Sequence, residues 1–267
     1  MEQILILLLL GLIQGLTEYL PVSSSGHIEL GKVIFQFQPK EPVLLTVILH
    51  AATALSTVVV LRKEILAILR GLLQMKWNES TQFSLFIVVS MIPAALIGFF
   101  FEEQMEVFFS GNLLLVGFCL LISSSLLFAA DQVQKSKIIE GKKVGLFESA
   151  MIGIAQAIAL LPGVSRSGAT ISTTLLLGVD RKQAAQFSFL MVLPLIFGKM
   201  AKDLLDGNLS FSNEEAIPYA VGFFTAFLVG IWACRWMIQL VSKGRLLYFS
   251  IYCLIVGLIA IIAYIYL

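Results

Sequence analysis

The chain has 267 residues and a formal net charge of +1, with 58% hydrophobic and 13% charged residues. Soluble globular domains have an apolar share of roughly 45–50%, so this composition excludes an ordinary soluble protein. We therefore predict a single all-α integral membrane domain over residues 1–267, and we expect no nucleic-acid partner.

The first predicted element is a broken helix near the N-terminus. Gly11–Gln14 is followed by Glu18, by Pro21 and by the polar run Val22–Gly26, with His27 next. A proline just before the serines predicts that one helix ends there and that another begins after the glycine.

The polar residues of this segment are candidate site residues. Gln14 and Glu18 are four residues apart, so on a helix they share one face and can hold one ligand or ion. Glu18 lies deep in an apolar segment, where an ionisable group by default marks a functional site. The hydroxyls at the break can cap the next helix, and free backbone N–H groups there can bind an anion. These hydroxyls belong to Ser23, Ser24 and Ser25.

The two histidines of the chain are interpreted differently. His27 follows the tip glycine, and with Ser24 and Glu18 close by it is predicted to act as a general acid or base. The alternative is a structural histidine that hydrogen-bonds a backbone group. His50 lies alone in an apolar run and is interpreted as a satisfied intramembrane histidine rather than a catalyst.

Six apolar runs follow the first motif. A bilayer crossing takes roughly 17–25 residues, and five uncharged runs reach that length, whereas the sixth is slightly short. The runs are Val43–Leu61, Phe83–Phe101, Leu113–Ala130, Ala184–Lys199, Ala216–Cys234 and Leu246–Leu267.

The motif recurs between the third and the fourth run. Gly153–Gln156 and Val164–Gly168 repeat the first copy after 142 positions without a gap. Arg166 replaces the central serine, and a guanidinium at a helix break flanked by hydroxyls is typical of a phosphate clamp. The alternative is an arginine that snorkels to the surface or forms a structural ion pair with Glu18. The flanking hydroxyls belong to Ser165, Ser167 and Thr170.

The repeat predicts the topology. If each copy is a re-entrant helical hairpin, three spans separate the hairpins and the second enters from the opposite face. Residues 1–130 and 145–267 then form an inverted repeat, joined by a cytoplasmic linker at 131–144, with hairpin tips that can meet near the midplane. Gly11 with Gly15, and Gly153 with Ala157, are predicted to allow close helix packing.

The basic residues agree with this topology. Thirteen of the eighteen Lys and Arg residues fall on one face, and basic residues concentrate in cytoplasmic loops. That face is therefore predicted to be cytoplasmic, with both termini and the first hairpin facing outward. The thirteen are Arg62, Lys63, Arg70, Lys76, Lys135, Lys137, Lys142, Lys143, Arg181, Lys182, Arg235, Lys243 and Arg245.

The two motifs resemble those of a known family. Gln14–His27 together with Pro162–Thr170 closely resembles the two signatures of bacterial undecaprenyl-diphosphate phosphatases of the bacitracin-resistance type, and the resemblance extends to His50–Thr53 and Arg181–Pro194. It implies hydrolysis of undecaprenyl diphosphate to undecaprenyl phosphate, the lipid carrier of peptidoglycan precursors, and hence roles in cell-wall synthesis, cell shape and bacitracin resistance. Members are plasma-membrane homodimers that depend on Mg²⁺ or Ca²⁺.

By position, the resemblance implies roles for single residues. Glu18 would be the essential acid, Ser24 the nucleophile, and His27 the base or an alternative nucleophile, while Arg166 would bind the diphosphate. The sequence leaves the choice between the two nucleophiles open. The other predicted diphosphate ligands are Ser23, Ser25, Ser165, Ser167 and Thr170.

One position departs from the family pattern. Many relatives have a glutamate where this chain has Gln14. An amide oxygen can ligate a hard cation but supplies no charge. Metal binding is therefore predicted to rely on Glu18 and on the diphosphate itself, with Gln14 as a neutral ligand.

Two other functions compete with this prediction. A polyprenyl-phosphate transporter or flippase also uses inverted repeats with broken helices, but it needs no nucleophile. The other superfamily of membrane lipid phosphatases is excluded because the chain has no Arg-Pro pair and no histidine after Arg166. A purely structural protein leaves the intramembrane Glu18 and Arg166 unexplained.

Overall fold

The computed structural model describes residues 2–39, 41–109, 113–136, 141–161, 163–205 and 213–266. Within these ranges the regular structure is helical apart from one isolated parallel bridge between Lys142 and Val179. The eleven helices are α1 (Glu2–Thr17), α2 (Ser24–Ile34), α3 (Pro42–Val60), α4 (Arg62–Leu73), α5 (Glu79–Phe109), α6 (Leu113–Ser136), α7 (Leu146–Ile158), α8 (Arg166–Leu176), α9 (Arg181–Leu205), α10 (Asn213–Ser242) and α11 (Leu247–Tyr266).

Six of these helices are long and apolar enough to cross a bilayer, namely α3, α5, α6, α9, α10 and α11. Each overlaps one of the six predicted apolar runs, which confirms the all-α membrane fold. Some helices extend past the uncharged run. Thus α5 begins at Glu79 and α9 begins at Arg181, because long polar side chains can reach the interface while their backbone stays helical.

The remaining motif helices form two pairs. Helices α1 and α2 have 16 and 11 residues, and α7 and α8 have 13 and 11, fewer than the roughly 17–25 of a span. In the second pair, the segment before α7 is hydrogen-bonded to the segment after α8. Lys142 N donates to Gly178 O, and Asp180 N donates to Lys142 O, both at 3.0 Å. Such closure is expected of a re-entrant hairpin, and the structure is consistent with both predicted hairpins.

Each pair packs against the opposite half of the chain. Helix α1 lies along α10 and α7 lies along α5, while α6 pairs with α11. The glycines permit this: a Cβ on Gly11 would overlap the carbonyl oxygen of Gly222, and one on Gly153 would lie 2.6 Å from the carbonyl oxygen of Ser90. The predicted role of these glycines in close packing is thereby confirmed. The repeat boundaries at 130 and 145 stay a prediction.

Helix α4 was not predicted from the sequence. It follows α3 directly and carries Arg62, Lys63 and Arg70, while Leu66 and Leu69 are 48% and 50% exposed. It is too short and carries too many charged residues to cross the membrane. A helix with basic residues and exposed leucines is suited to lie in the membrane interface.

Candidate active site

The tips of the two helix pairs touch. Helix α1 ends before Glu18 and α7 ends before Ala159, as the prolines of the motifs predict. Between the tips, Ser167 Oγ donates a hydrogen bond of 3.2 Å to the carbonyl oxygen of Leu20. The breaks therefore bring two helix N-termini, those of α2 and α8, to one place.

Both helices restart in the same way. Ser23 caps α2 and its Oγ accepts from Gly26 N at 3.4 Å, while Ser165 caps α8 and accepts from Gly168 N at 3.1 Å. Consequently Ser24 and Arg166 each occupy the first position of their helix. The first N–H groups of a helix have no internal partner and carry partial positive charge, so the two N-termini together favour an anion.

The two caps differ in backbone conformation. Ser23 has a φ of 71°, whereas Ser165 has a φ of −74°. A side chain in the positive-φ region costs about 1–3 kcal/mol, and such residues cluster at functional sites. The strain is therefore confined to the copy that presents Ser24.

Glu18 is the centre of the site. Its Oε1 pairs with Arg166 Nη2, and its Oε2 accepts from Ser24 Oγ at 2.9 Å and from Gln14 Nε2 at 3.0 Å. The carboxylate is 4% exposed, and a buried charge is tolerated only when paired and hydrogen-bonded. The structure thus brings together the predicted acid, nucleophile, arginine and amide.

Arg166 keeps donors available for a ligand. Its guanidinium has five N–H donors, and among the described residues Glu18 is its only side-chain partner. The Arg166 side chain is 26% exposed, unlike the buried Glu18. An anion can therefore reach the guanidinium from the open side.

His27 lies apart from this group. Its Nδ1 is 2.8 Å from the carbonyl oxygen of Ser23, and its Nε2 is 2.6 Å from Tyr252 Oη, with the two rings stacked. Both nitrogens are engaged by these groups, and the imidazole is not hydrogen-bonded to Ser24 or Glu18. From its place in the sequence, His27 was expected to lie beside Ser24 and Glu18. Its contact with Tyr252, which is distant in the chain, was not predicted. A catalytic role for His27 stays a prediction.

The remaining predicted diphosphate ligands form hydrogen bonds within the protein or are exposed. Thr170 Oγ1 donates to the carbonyl oxygen of Arg166 at 2.9 Å and lies 2.5 Å from Ser188 Oγ. Ser25 is exposed, and its Oγ is 3.4 Å from Ser23 Oγ. Their hydroxyls are used within the protein, so contact with a diphosphate stays a prediction for these residues and for the two caps.

His50 was missed as a neighbour of the site. Its Nδ1 lies 2.9 Å from the carbonyl oxygen of Thr46, as expected for a satisfied histidine, but its Nε2 faces Glu18 Oε2 at 3.8 Å. The available signal was an ionisable residue within a membrane span. What the sequence did not reveal is which face of α3 points to the site.

A small cavity adjoins the charged group. The cavity is about the size of one water molecule, and Glu18 and Arg166 line it together with hydroxyl-bearing and apolar side chains. Tyr19 is fixed there because its Oη donates to the carbonyl oxygen of Thr53 at 2.5 Å. The other lining residues are Ala54, Thr57, Phe189, Val192 and Ile196.

The donor set fits a metal that brings its own phosphate ligands. Among the described residues no three His, Cys, Asp or Glu side chains converge. However, Gln14 Oε1 is buried without a hydrogen-bond partner, next to Glu18. Mg²⁺ is usually held by one or two carboxylates together with substrate phosphates, and the amide oxygen with one carboxylate is compatible with that arrangement.

The chain is similar to known proteins over nearly its whole length. The family model of bacitracin resistance protein BacA matches residues 7–259. A protein of Christiangramia forsetii named undecaprenyl-diphosphatase is 58% identical over 257 residues, which cover 96% of each chain. Proteins of the same name from Bacteroides thetaiotaomicron and Methanococcus vannielii are 45% and 40% identical, covering 96% and 95% of this chain and 97% and 98% of theirs. These matches include both motifs.

Proposed function

Because the chain belongs to the family of bacitracin resistance protein BacA, we propose that it acts as an undecaprenyl-diphosphatase. It removes the terminal phosphate of undecaprenyl diphosphate and leaves undecaprenyl phosphate and inorganic phosphate. The product is the lipid carrier of peptidoglycan precursors, which connects the activity to cell-wall synthesis and to bacitracin resistance. The observation that carries the proposal is Glu18, which holds Ser24 with one oxygen and Arg166 with the other.

Substrate binding uses the positive charge of the site. The diphosphate takes the free donors of Arg166 and competes with Glu18 Oε1 for the guanidinium, since phosphate also binds it bidentately. The N-termini of α2 and α8 add backbone donors to the same anion.

Phosphoryl transfer starts from Ser24. Its Oγ already donates to Glu18 Oε2 at 2.9 Å, so Glu18 takes the proton as Oγ attacks the terminal phosphorus. The leaving undecaprenyl phosphate takes this proton from Glu18. Water then hydrolyses the phosphorylated Ser24; one of its protons returns to Ser24 Oγ and the other stays on the released phosphate. Charge on the transferred group is stabilised by Arg166 and the helix N-termini. The engaged nitrogens of His27 favour Ser24 as the nucleophile.

The activity is proposed to require Mg²⁺ or Ca²⁺. Gln14 Oε1 and the Glu18 carboxylate would hold the cation together with phosphate oxygens of the substrate. When bound, the cation neutralises charge on the diphosphate. Because Gln14 is neutral, the protein alone is expected to bind the cation weakly.

Release of phosphate by the purified protein in detergent tests the function. Undecaprenyl diphosphate is expected to yield equimolar phosphate and undecaprenyl phosphate with Mg²⁺ or Ca²⁺, and chelator should suppress the rate. Isothermal titration without substrate should show weak cation binding that tightens when a non-hydrolysable diphosphate lipid is added. Absence of phosphate release under every condition, with lipid transfer across vesicles, would favour the transporter instead.

We also propose that the first hairpin faces outward in a bacterial plasma membrane, as the loop charges indicate. Glu41 and Lys63 flank the span α3 and are both exposed, so they are a matched pair. A membrane-impermeant maleimide is expected to label Glu41→Cys in intact cells and Lys63→Cys only after permeabilisation. The native cysteines are buried and give little background. The opposite labelling pattern would reverse the orientation. The homodimer stays a prediction.

A further inference from the structure

We propose that Tyr252 is a positioning residue, which acts through His27 to fix the peptide between Ser23 and Ser24. The proposal rests on the proposed function and concerns its first step, the attack by Ser24. It makes His27 a support of the serine rather than an acid or a base.

The first argument is the pair of contacts that the His27 ring makes. Its Nδ1 donates to the carbonyl oxygen of Ser23 at 2.8 Å, because a carbonyl oxygen can only accept. Its Nε2 is 2.6 Å from Tyr252 Oη, and the two rings are stacked with their centroids 5.8 Å apart. The imidazole therefore connects the cap of α2 to the last helix, whether the ring is neutral or charged.

The second argument is what the Ser23 carbonyl determines. A peptide group is planar and trans, so the C=O of Ser23 and the N–H of Ser24 lie in one plane and point in opposite directions. Ser24 is the first residue of α2, and its N–H is one of the four that a helix leaves without an internal partner. A hydrogen bond that fixes the carbonyl therefore also fixes the direction in which this N–H is offered to an anion.

The third argument comes from the second copy of the motif. Ala169 follows Ser165 by four residues, as His27 follows Ser23. In both copies the carbonyl of the cap accepts from the backbone N–H of that residue, at 3.2 Å from His27 N and at 2.8 Å from Ala169 N. The first copy adds a side-chain hydrogen bond that an alanine cannot form.

The added hydrogen bond occurs at the strained cap. Ser23 has a φ of 71°, a region that L side chains rarely adopt, while Ser165 has a φ of −74°. A strained backbone persists only where its surroundings over-determine it, and His27 contacts the carbonyl of this same residue. The copy with the histidine thus presents Ser24 from a strained cap, and the copy with the alanine presents Arg166 from a relaxed one.

The fourth argument is that Tyr252 lies on a helix that is itself fixed. Ser250 Oγ donates to Ser124 O at 2.9 Å and Ser124 Oγ donates to Ser250 O at 2.8 Å, which joins α11 to α6. Cys253 Sγ donates to the carbonyl oxygen of Pro21 at 3.3 Å, so α11 also contacts the chain just before the serines. The hydroxyl of Tyr252 therefore has a fixed position from which it can hold the imidazole.

The expected consequence is an effect on kcat rather than on binding. Without the contact to Tyr252 the peptide before Ser24 can turn, and Ser24 Oγ then loses its alignment with the terminal phosphorus. Misplacement of a reacting group by about 1 Å can lower a rate about 10²-fold. The diphosphate stays bound, because the charge of Arg166 is unchanged.

Steady-state kinetics of Tyr252→Phe test the proposal. This variant keeps the stacked ring and loses the hydroxyl, so kcat is expected to fall about tenfold, the upper end for one hydrogen bond. KM and the binding of a non-hydrolysable diphosphate lipid should change less than threefold. Tyr248→Phe, the same change one turn earlier on α11 at a side chain that is 67% exposed, is the matched control and should behave as wild type. Both variants should keep the wild-type melting temperature in detergent.

Variants of His27 show whether Tyr252 acts through the imidazole. His27→Ala removes both contacts and is expected to lower kcat about 10²-fold. Adding Tyr252→Phe should then cause no further loss, because the two changes interrupt one series of contacts. In His27→Asn the side-chain N–H can replace Nδ1 as a donor to the Ser23 carbonyl, although an amide cannot act as an acid or a base. This variant should therefore be at least about tenfold faster than His27→Ala.

Three results would overturn the positioning role. One is a Tyr252→Phe protein with wild-type kcat, or one whose loss is accounted for by a lower melting temperature or by weaker lipid binding. Another is a further tenfold loss when Tyr252→Phe is added to His27→Ala, since Tyr252 would then act independently of His27. The third is an equal loss in His27→Asn and His27→Ala, which would assign proton transfer to the imidazole. A wild-type protein that releases no phosphate would instead refute the proposed function, and the inference with it.

Discussion

Replacing Ser24 with alanine is expected to lower kcat at least about 10³-fold, since loss of the proposed nucleophile removes the covalent route altogether. The hydroxyl forms one hydrogen bond of 2.9 Å to Glu18 and is only partly buried, so the protein should fold normally. The measurement is phosphate release at saturating substrate, with binding of a non-hydrolysable diphosphate lipid as the second readout. Binding should change less than threefold.

The same variant separates the enzyme from the transporter. A carrier needs the positive charge of Arg166 but no nucleophile, so Ser24→Ala should leave lipid transfer across vesicles intact. Ser125→Ala, the same change at an exposed hydroxyl whose one hydrogen-bond partner among the described residues is Leu121 O, controls for the loss of a serine. Wild-type turnover in Ser24→Ala would exclude Ser24 as the nucleophile and would favour His27.

Much of this site could be predicted because it depends on local chemistry. The apolar runs located the six spans, and the prolines located the helix ends that place Ser24 and Arg166 first in α2 and α8. Two copies of one motif also predicted that the tips meet, and Ser167 does contact Leu20 across them. These features depend on hydrophobicity, on the missing N–H of proline and on symmetry.

The remainder depends on which way a side chain turns, and periodicity in an apolar helix does not show this. The span α3 is apolar on most of its surface, so nothing in its pattern indicates that His50 faces Glu18. His27 is next to the serines in the chain, yet Tyr252 on the last helix takes its Nε2. Thr170 likewise bonds to Ser188 on α9. Such contacts between distant segments require the three-dimensional structure.

Replacing Arg166 with alanine is expected to have the second large effect, on both stability and activity. Removal of one member of a buried ion pair leaves an uncompensated charge and costs about 3–5 kcal/mol. We expect the lower end, since the Arg166 side chain is 26% exposed. Diphosphate binding and kcat/KM should both fall, the latter at least about 10³-fold, as for a charge clamp on a transferred phosphoryl group. Thermal unfolding in detergent and steady-state kinetics measure the two effects.

A double variant distinguishes catalysis from a structural ion pair. In Glu18→Gln/Arg166→Met the buried charges are removed together, and replacing a buried pair with neutral groups is often nearly neutral for stability. The melting temperature should therefore return most of the way to the wild-type value. If the pair is only structural, activity should return with it.

We expect activity not to return, because the two residues act on the substrate separately. In the proposed mechanism Glu18 accepts the proton of Ser24 with one oxygen, and Arg166 uses its donors for the diphosphate; the free protein shows the contacts of Glu18 with both residues. We expect the substrate to replace their contact with each other. Arg166→Lys is an intermediate variant, because it keeps the positive charge but loses the planar guanidinium that binds phosphate through two hydrogen bonds. It should be nearly as stable as wild type, yet it should bind the diphosphate more weakly.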